Sequence, residues 1–198
     1  MHPAARLSLL LRITGSQAIV RRYFVVNGFD GALALLGLLF GFYISGGETL
    51  ATVINACIGT AVALTVSGLS SAYISESAEQ RKALNELRGA MVSDLEDSAH
   101  AHAARVVPWL VAAANGLAPL LIALAILTPL WLAQAGIALP LPPLELAIAT
   151  AFGILFLLGV FLGHVGGRFW LASGLVTLVI ALVTAGIILG IGALSGPV

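Results

Sequence analysis

The chain has 198 residues, 60% of them hydrophobic and 9% charged, with a formal net charge of zero. Soluble domains carry about 25% charged residues, so this composition excludes an ordinary soluble domain and points to an integral membrane protein; a nucleic-acid partner is not expected. The length fits one domain, and the single cysteine, Cys57, cannot form an intramolecular disulfide and reads as a small core residue within an apolar run.

In chain order, residues 4–22 read as an amphipathic helix lying on the membrane surface, with Arg6, Arg12, Arg21 and Arg22 at the headgroups. The apolar patch at 7–11 is short and runs into Arg12 rather than a small-residue cleavage site, so it does not read as a signal peptide. A membrane span needs about 20 largely apolar residues. Five segments qualify, at 23–45, 49–74, 107–134, 143–163 and 169–194. Short gaps between them are punctuated by Gly46-Gly47, by Pro140, Pro142 and Pro143, and by Gly166-Gly167. One gap, 75–106, is long and polar, and its helix-favouring first half predicts a cytoplasmic acidic helical segment. The expected architecture is all-α: an N-terminal segment, 1–22, and a five-span transmembrane domain, 23–198. Gly37 with Gly41, Gly159 with Gly163 and Gly186 with Gly190 have the small-xxx-small spacing of packed membrane helices.

The nine basic residues fall in the N-terminal segment, in the 75–106 gap and at Arg168. Five spans put these three places on one side of the membrane. The positive-inside rule then predicts a cytoplasmic N-terminus and an outside C-terminus. Short loops and the lack of a targeting segment favour a prokaryotic plasma membrane.

Chemistry is expected at polar residues inside the spans. Asp30, in the run Asn27-Gly28-Phe29-Asp30-Gly31, is an acid at bilayer depth, which is expensive and therefore a functional-site hypothesis. On a helix Asp30, Gly37 and Gly41 fall close to one face. In the second span Ser67, Ser71 and Ser75 recur every four residues toward Glu79, with Ser70 beside them. Such a stripe suits a pore or a neighbouring helix, although serine also bonds back to its own helix. Asn115-Gly116 and Pro119 are expected to break the third span, leaving Asn115 near a freed carbonyl on a cation path or in a packed kink. On one continuous helix Glu76, Glu79, Glu86, Asp94 and Asp97 fall within an arc of about 80°. They form either a solvated face or an oxygen-ligand site for a divalent metal. Imidazole from His100 or His102 would bias such a site toward a transition metal.

These residues resemble the vacuolar iron transporter family. Asp30-Gly31 matches its early first-span Asp-Gly pair, the run Ser67–Ser75 followed by Glu76 and Glu79 matches the end of its second span, and Thr128-Pro129-Leu130 and Leu158-Gly159 match elements of its third and fourth spans. The family's second-span methionine and glutamate fall on Gly68 and Ala72, a departure. The resemblance implies a homodimer whose first spans line a central path, and export of ferrous iron or manganese from the cytoplasm against protons. It implies a membrane metal site at Asp30 and metal collection at Glu76, Glu79 and Glu86. The metal is cargo, and no permanently bound cofactor is expected. The path would include Asp30, Asn27, Ser67, Ser70, Ser71 and Asn115, with Asp30, Glu76, Glu79, Glu86, Asp94, Asp97 and His100 as metal ligands. A different class of function, a non-transporting membrane metal sensor or scaffold with the same fold, is the alternative. No Ser–His pair, zinc-protease motif or phosphate loop suggests an enzyme.

Overall fold

The computed structural model describes residues 16–91 and 99–195. They form five helices and no strand: α1 (Ser16–Ser45), α2 (Leu50–Met91), α3 (Ala99–Gln134), α4 (Pro143–Val165) and α5 (Trp170–Ser195). All five are long and apolar enough to cross a membrane. The expected spans coincide with them closely, and the larger differences lie at the ends flanking the long polar gap and at the start of α1.

At about 1.5 Å per residue the 42 residues of α2 reach about 63 Å and the 36 residues of α3 about 54 Å. A hydrocarbon core is about 30 Å thick, so both helices outrun it. Much of the polar gap is therefore not a separate helix but an extension of these two. Gly89 lies inside α2 and does not interrupt it. Asp94 and Asp97 lie outside the described residues, as does the rest of 92–98. The N-terminal expectation also changes. Residues 16–22 belong to α1, continuous with the first span, with no Gly or Pro between Ser16 and Asn27 to interrupt the helix. The Arg22 guanidinium lies 5.7 Å from the Tyr23 ring centroid. Residues 4–15 lie outside the described residues.

The third span is not broken. α3 runs through Asn115, Gly116 and Pro119 without interruption. Proline at 119 removes one backbone donor and frees the carbonyl of Asn115 one turn earlier, but neighbouring helices can re-satisfy such groups in a membrane helix.

The turns follow local chemistry. Gly46 and Gly47 sit at φ +64° and +76°, a left-handed backbone that residues with a Cβ adopt at a cost. Thr49 caps α2, its Oγ1 accepting from the Thr52 N–H at 3.2 Å. Pro143 opens α4, where its missing N–H costs nothing.

The chain divides into two compact units, to each of which α1, α2 and α3 contribute a stretch. The larger comprises 28–64 and 119–198. Its core is apolar throughout, with Leu35, Leu36 and Leu39 of α1, Cys57 of α2, Ile126, Leu127 and Leu130 of α3 and Leu155 of α4. Within it α4 and α5 approach closely: a Cβ on Gly163 would lie 2.7 Å from Ser173 Cβ, and one on Gly174 2.6 Å from the Phe156 ring. Gly159 is likewise closed off by Thr177. Of the expected small-residue pairs, Gly159 and Gly163 thus pack intimately, whereas Gly41, Gly186 and Gly190 face open space. The outward face of α5 is apolar, with Leu175, Val179, Leu182 and Ile191 exposed, as suits a helix solvated by hydrocarbon chains. The smaller unit comprises residues to Asn27 and 65–118. Ala72, Ala103, Val107, Val111 and Ala112 form its core, with Ile19, Val20, Tyr23, Leu69 and Tyr73 against them.

Candidate functional site

Asp30 sits near the middle of the 30-residue α1, about 22 Å from its Ser45 end. Its side chain is exposed on the single chain. The next residue, Gly31, leaves room for α3: a Cβ there would lie 2.7 Å from Pro119 Cβ. This close approach fixes one side of α1 against α3 and leaves the carboxylate facing away from the core of its unit. Asn27, one turn earlier, is half-buried.

The smaller unit contains a second polar locus, where α2 crosses α3. Gly68 and Gly116 bring the two backbones together. A Cβ on Gly68 would lie 3.1 Å from Gly116 Cα and 3.3 Å from the Asn115 carbonyl oxygen, and one on Gly116 would lie 2.8 Å from the Thr65 carbonyl oxygen and overlap the Leu69 side chain. Asn115, 4% exposed, donates from Nδ2 to the Gly68 carbonyl at 2.9 Å. Its Oδ1 is buried and has no hydrogen-bond partner. The direction in which a side chain at 68 would grow leads to the Asn115 carbonyl that Pro119 frees, so the Gly68 Cα–H faces an acceptor without its helical donor. An amide oxygen and a freed carbonyl are hard oxygen donors suited to a cation or a water. A side chain at 68 would press on the α3 backbone at this crossing, and Ala72 is buried in the unit's core.

The serines behave partly as structural groups. Ser70 Oγ donates to the Val66 carbonyl at 2.8 Å and Ser71 Oγ to the Gly68 carbonyl at 3.5 Å. Ser67, Ser70 and Ser71 are all exposed on the single chain, and their oxygens keep lone pairs for a ligand.

The acids of α2 separate by burial. Glu76 is 8% exposed and accepts from Gln80 Nε2 at 2.8 Å, whereas Glu79 and Glu86 are exposed. Among the described residues no three His, Cys, Asp or Glu side chains gather into a group that could hold a metal. The proposed set of Glu76, Glu79, Glu86, Asp94, Asp97 and His100 is therefore not assembled by its described members. Asp94 and Asp97 lie outside the described residues, and the His100 side chain is likewise outside them.

One group escaped the sequence reading. Arg81, Arg88 and Arg105 line one cavity together with Tyr73 and Trp109. The signal was present as spacing: Tyr73, Ser77, Arg81, Leu84 and Arg88 recur at four or three residues on α2, and Arg105 and Trp109 at four on α3. Those arginines had served only to orient the chain.

In comparison with known proteins, the chain matches no family model, no curated protein and no solved structure.

Proposed function

We propose that the protein is a proton-coupled transporter of a divalent transition metal, ferrous iron or manganese, that works as a homodimer and moves metal out of the cytoplasm. The observation that carries this reading is Asp30, a carboxylate at mid-helix depth on the exposed face of α1. An acid facing hydrocarbon there would cost about 3 kcal/mol on insertion scales and more in isolation. A second copy of α1 relieves that cost. On the same helical face Gly41 has open space around it, while a Cβ on Gly37 would meet Ile188 of α5 at 3.5 Å, so a second copy can approach closely at Gly41. Two apposed Asp30 carboxylates cannot both ionise cheaply at short range, and they would share a proton. Arrival of a divalent cation expels the proton, and reprotonation from the far side releases the cation. Within the smaller unit Asn115, whose Oδ1 has no hydrogen-bond partner, and the serine hydroxyls offer neutral oxygens to a cation.

The competing reading is a metal sensor or scaffold that transports nothing. It is favoured by the lack of a three-ligand group among the described residues. Flux of Fe²⁺, Mn²⁺, Co²⁺ and Zn²⁺ into sealed proteoliposomes, recorded with an internal pH dye, separates the two. Metal movement with opposite proton movement supports transport; metal binding without crossing supports sensing.

A further inference from the structure

The extramembrane end of α2 is divided by charge. Taking Arg81 as the origin at about 100° per residue, Arg88 falls within about 20° of it, while Glu79 and Glu86 fall about 140–160° away. Glu79 and Glu86, both exposed, thus point away from Arg81 and Arg88. On α3 stand Arg105 and, one turn later, Trp109. Between the two helices lies a cavity of about 420 Å³, bounded by Tyr73, Ser77, Arg81, Arg88, Arg105 and Trp109, with no Asp or Glu in its lining among the described residues. That volume is in the range of small-ligand sites.

The Arg81 and Arg105 guanidinium groups both line this cavity, and an anion placed between them is attracted to both. Guanidinium is a planar fork that binds phosphate oxygens in pairs. The lining is also graded along the helices. Tyr73 and Trp109 lie with ring centroids 4.4 Å apart; Tyr73 is beside the last apolar residues of the α2 span, and Arg81 is about 12 Å further out. Trp109 is 63% exposed. Aromatic rings of this kind settle at the level of lipid headgroups, and basic pockets between membrane helices take phosphate headgroups. Arginines at the polar end and rings at the apolar end match the two ends of a phosphate ester of an amphiphile.

We propose that this cavity is a binding site for an anionic phosphate group, held by Arg81 and Arg105 and walled by Trp109. The gradient of the lining favours a phospholipid headgroup over free phosphate. The site is independent of the transport reading, because it carries the opposite charge and uses none of the same residues.

The test uses the full chain in detergent, with Trp131→Phe and Trp170→Phe leaving Trp109 as the only indole. Its fluorescence is followed on adding short-chain phosphatidylglycerol, the same chain length of phosphatidylcholine, or inorganic phosphate. Phosphatidylglycerol should give a saturable change at least tenfold tighter than zwitterionic phosphatidylcholine, and Arg81→Gln and Arg105→Gln should each weaken it at least tenfold. Arg105→Lys, which keeps the charge but loses the fork, should bind between the two. All variants are compared at equal helicity and elution volume. Inorganic phosphate that saturates the same signal with the same arginine dependence would assign the site to free phosphate, and silence with phosphate would assign it to lipid; both support the anion site. Equal affinity for the two lipids together with no phosphate response, or binding that neither arginine variant alters, would overturn it.

Discussion

Two helix crossings in this protein use the same device and end differently. In the larger unit, α4 and α5 meet through Gly159, Gly163 and Gly174, and the hydroxyl at the contact is spent locally, Thr177 Oγ1 donating to the Gly174 carbonyl at 2.8 Å. In the smaller unit, α2 and α3 meet through Gly68 and Gly116, but there a buried asparagine keeps one oxygen without a partner beside a carbonyl that a proline has freed. Glycine at a membrane crossing lets backbones touch, so that dispersion can replace the missing hydrophobic drive. At the first crossing the Thr177 hydroxyl is spent inside its own helix, and small residues let the two helices touch. The second holds helices together through an asparagine whose Oδ1 has no hydrogen-bond partner, which is costly in an apolar interior.

The largest expected effect comes from closing the second crossing. Gly116→Val places a branched side chain against Leu69 and the Thr65 carbonyl. It should cost about 3 kcal/mol or more by overpacking, seen as loss of monodisperse protein in size-exclusion chromatography. Gly159→Ala should cost about 1–3 kcal/mol for the same reason; thermal unfolding in detergent should shift down while metal flux per folded molecule stays the same. Asn115→Ala should reverse that pattern. It removes one interhelical hydrogen bond, worth about 1 kcal/mol in membrane proteins, yet flux should fall at least tenfold because the oxygen donor is gone. Gly190→Ala should change unfolding by less than about 0.5 kcal/mol, since nothing lies within 4 Å of the added methyl.

Much of the fold was legible because apolar length and glycine or proline punctuation are local signals. The turns at Gly46-Gly47 and before Pro143 fall where their backbone chemistry predicts. The continuity of α3 through Pro119 was not legible. Whether a proline breaks a helix depends on what packs beside it, and here Gly31 makes the room. The site was legible as residue types and poorly legible as an arrangement. Asp30 could be singled out from its depth alone, and Asn115 from its place before a proline. That Glu76 turns inward while Glu79 and Glu86 stay exposed depends on how α2 is rotated against α3, which periodicity within one helix does not fix. The same rotation brings Arg81, Arg88 and Arg105 to one cavity, a convergence of two helices that neither one encodes alone.

The central claim is that Asp30 carries a cation and a proton across the membrane by turns. The most direct test compares wild type with Asp30→Ala in proteoliposomes, following metal uptake and internal pH together. The account predicts metal flux with opposite proton movement in the wild type and background flux in the variant, at matched folding and oligomeric state. Undiminished coupled flux in Asp30→Ala would contradict it.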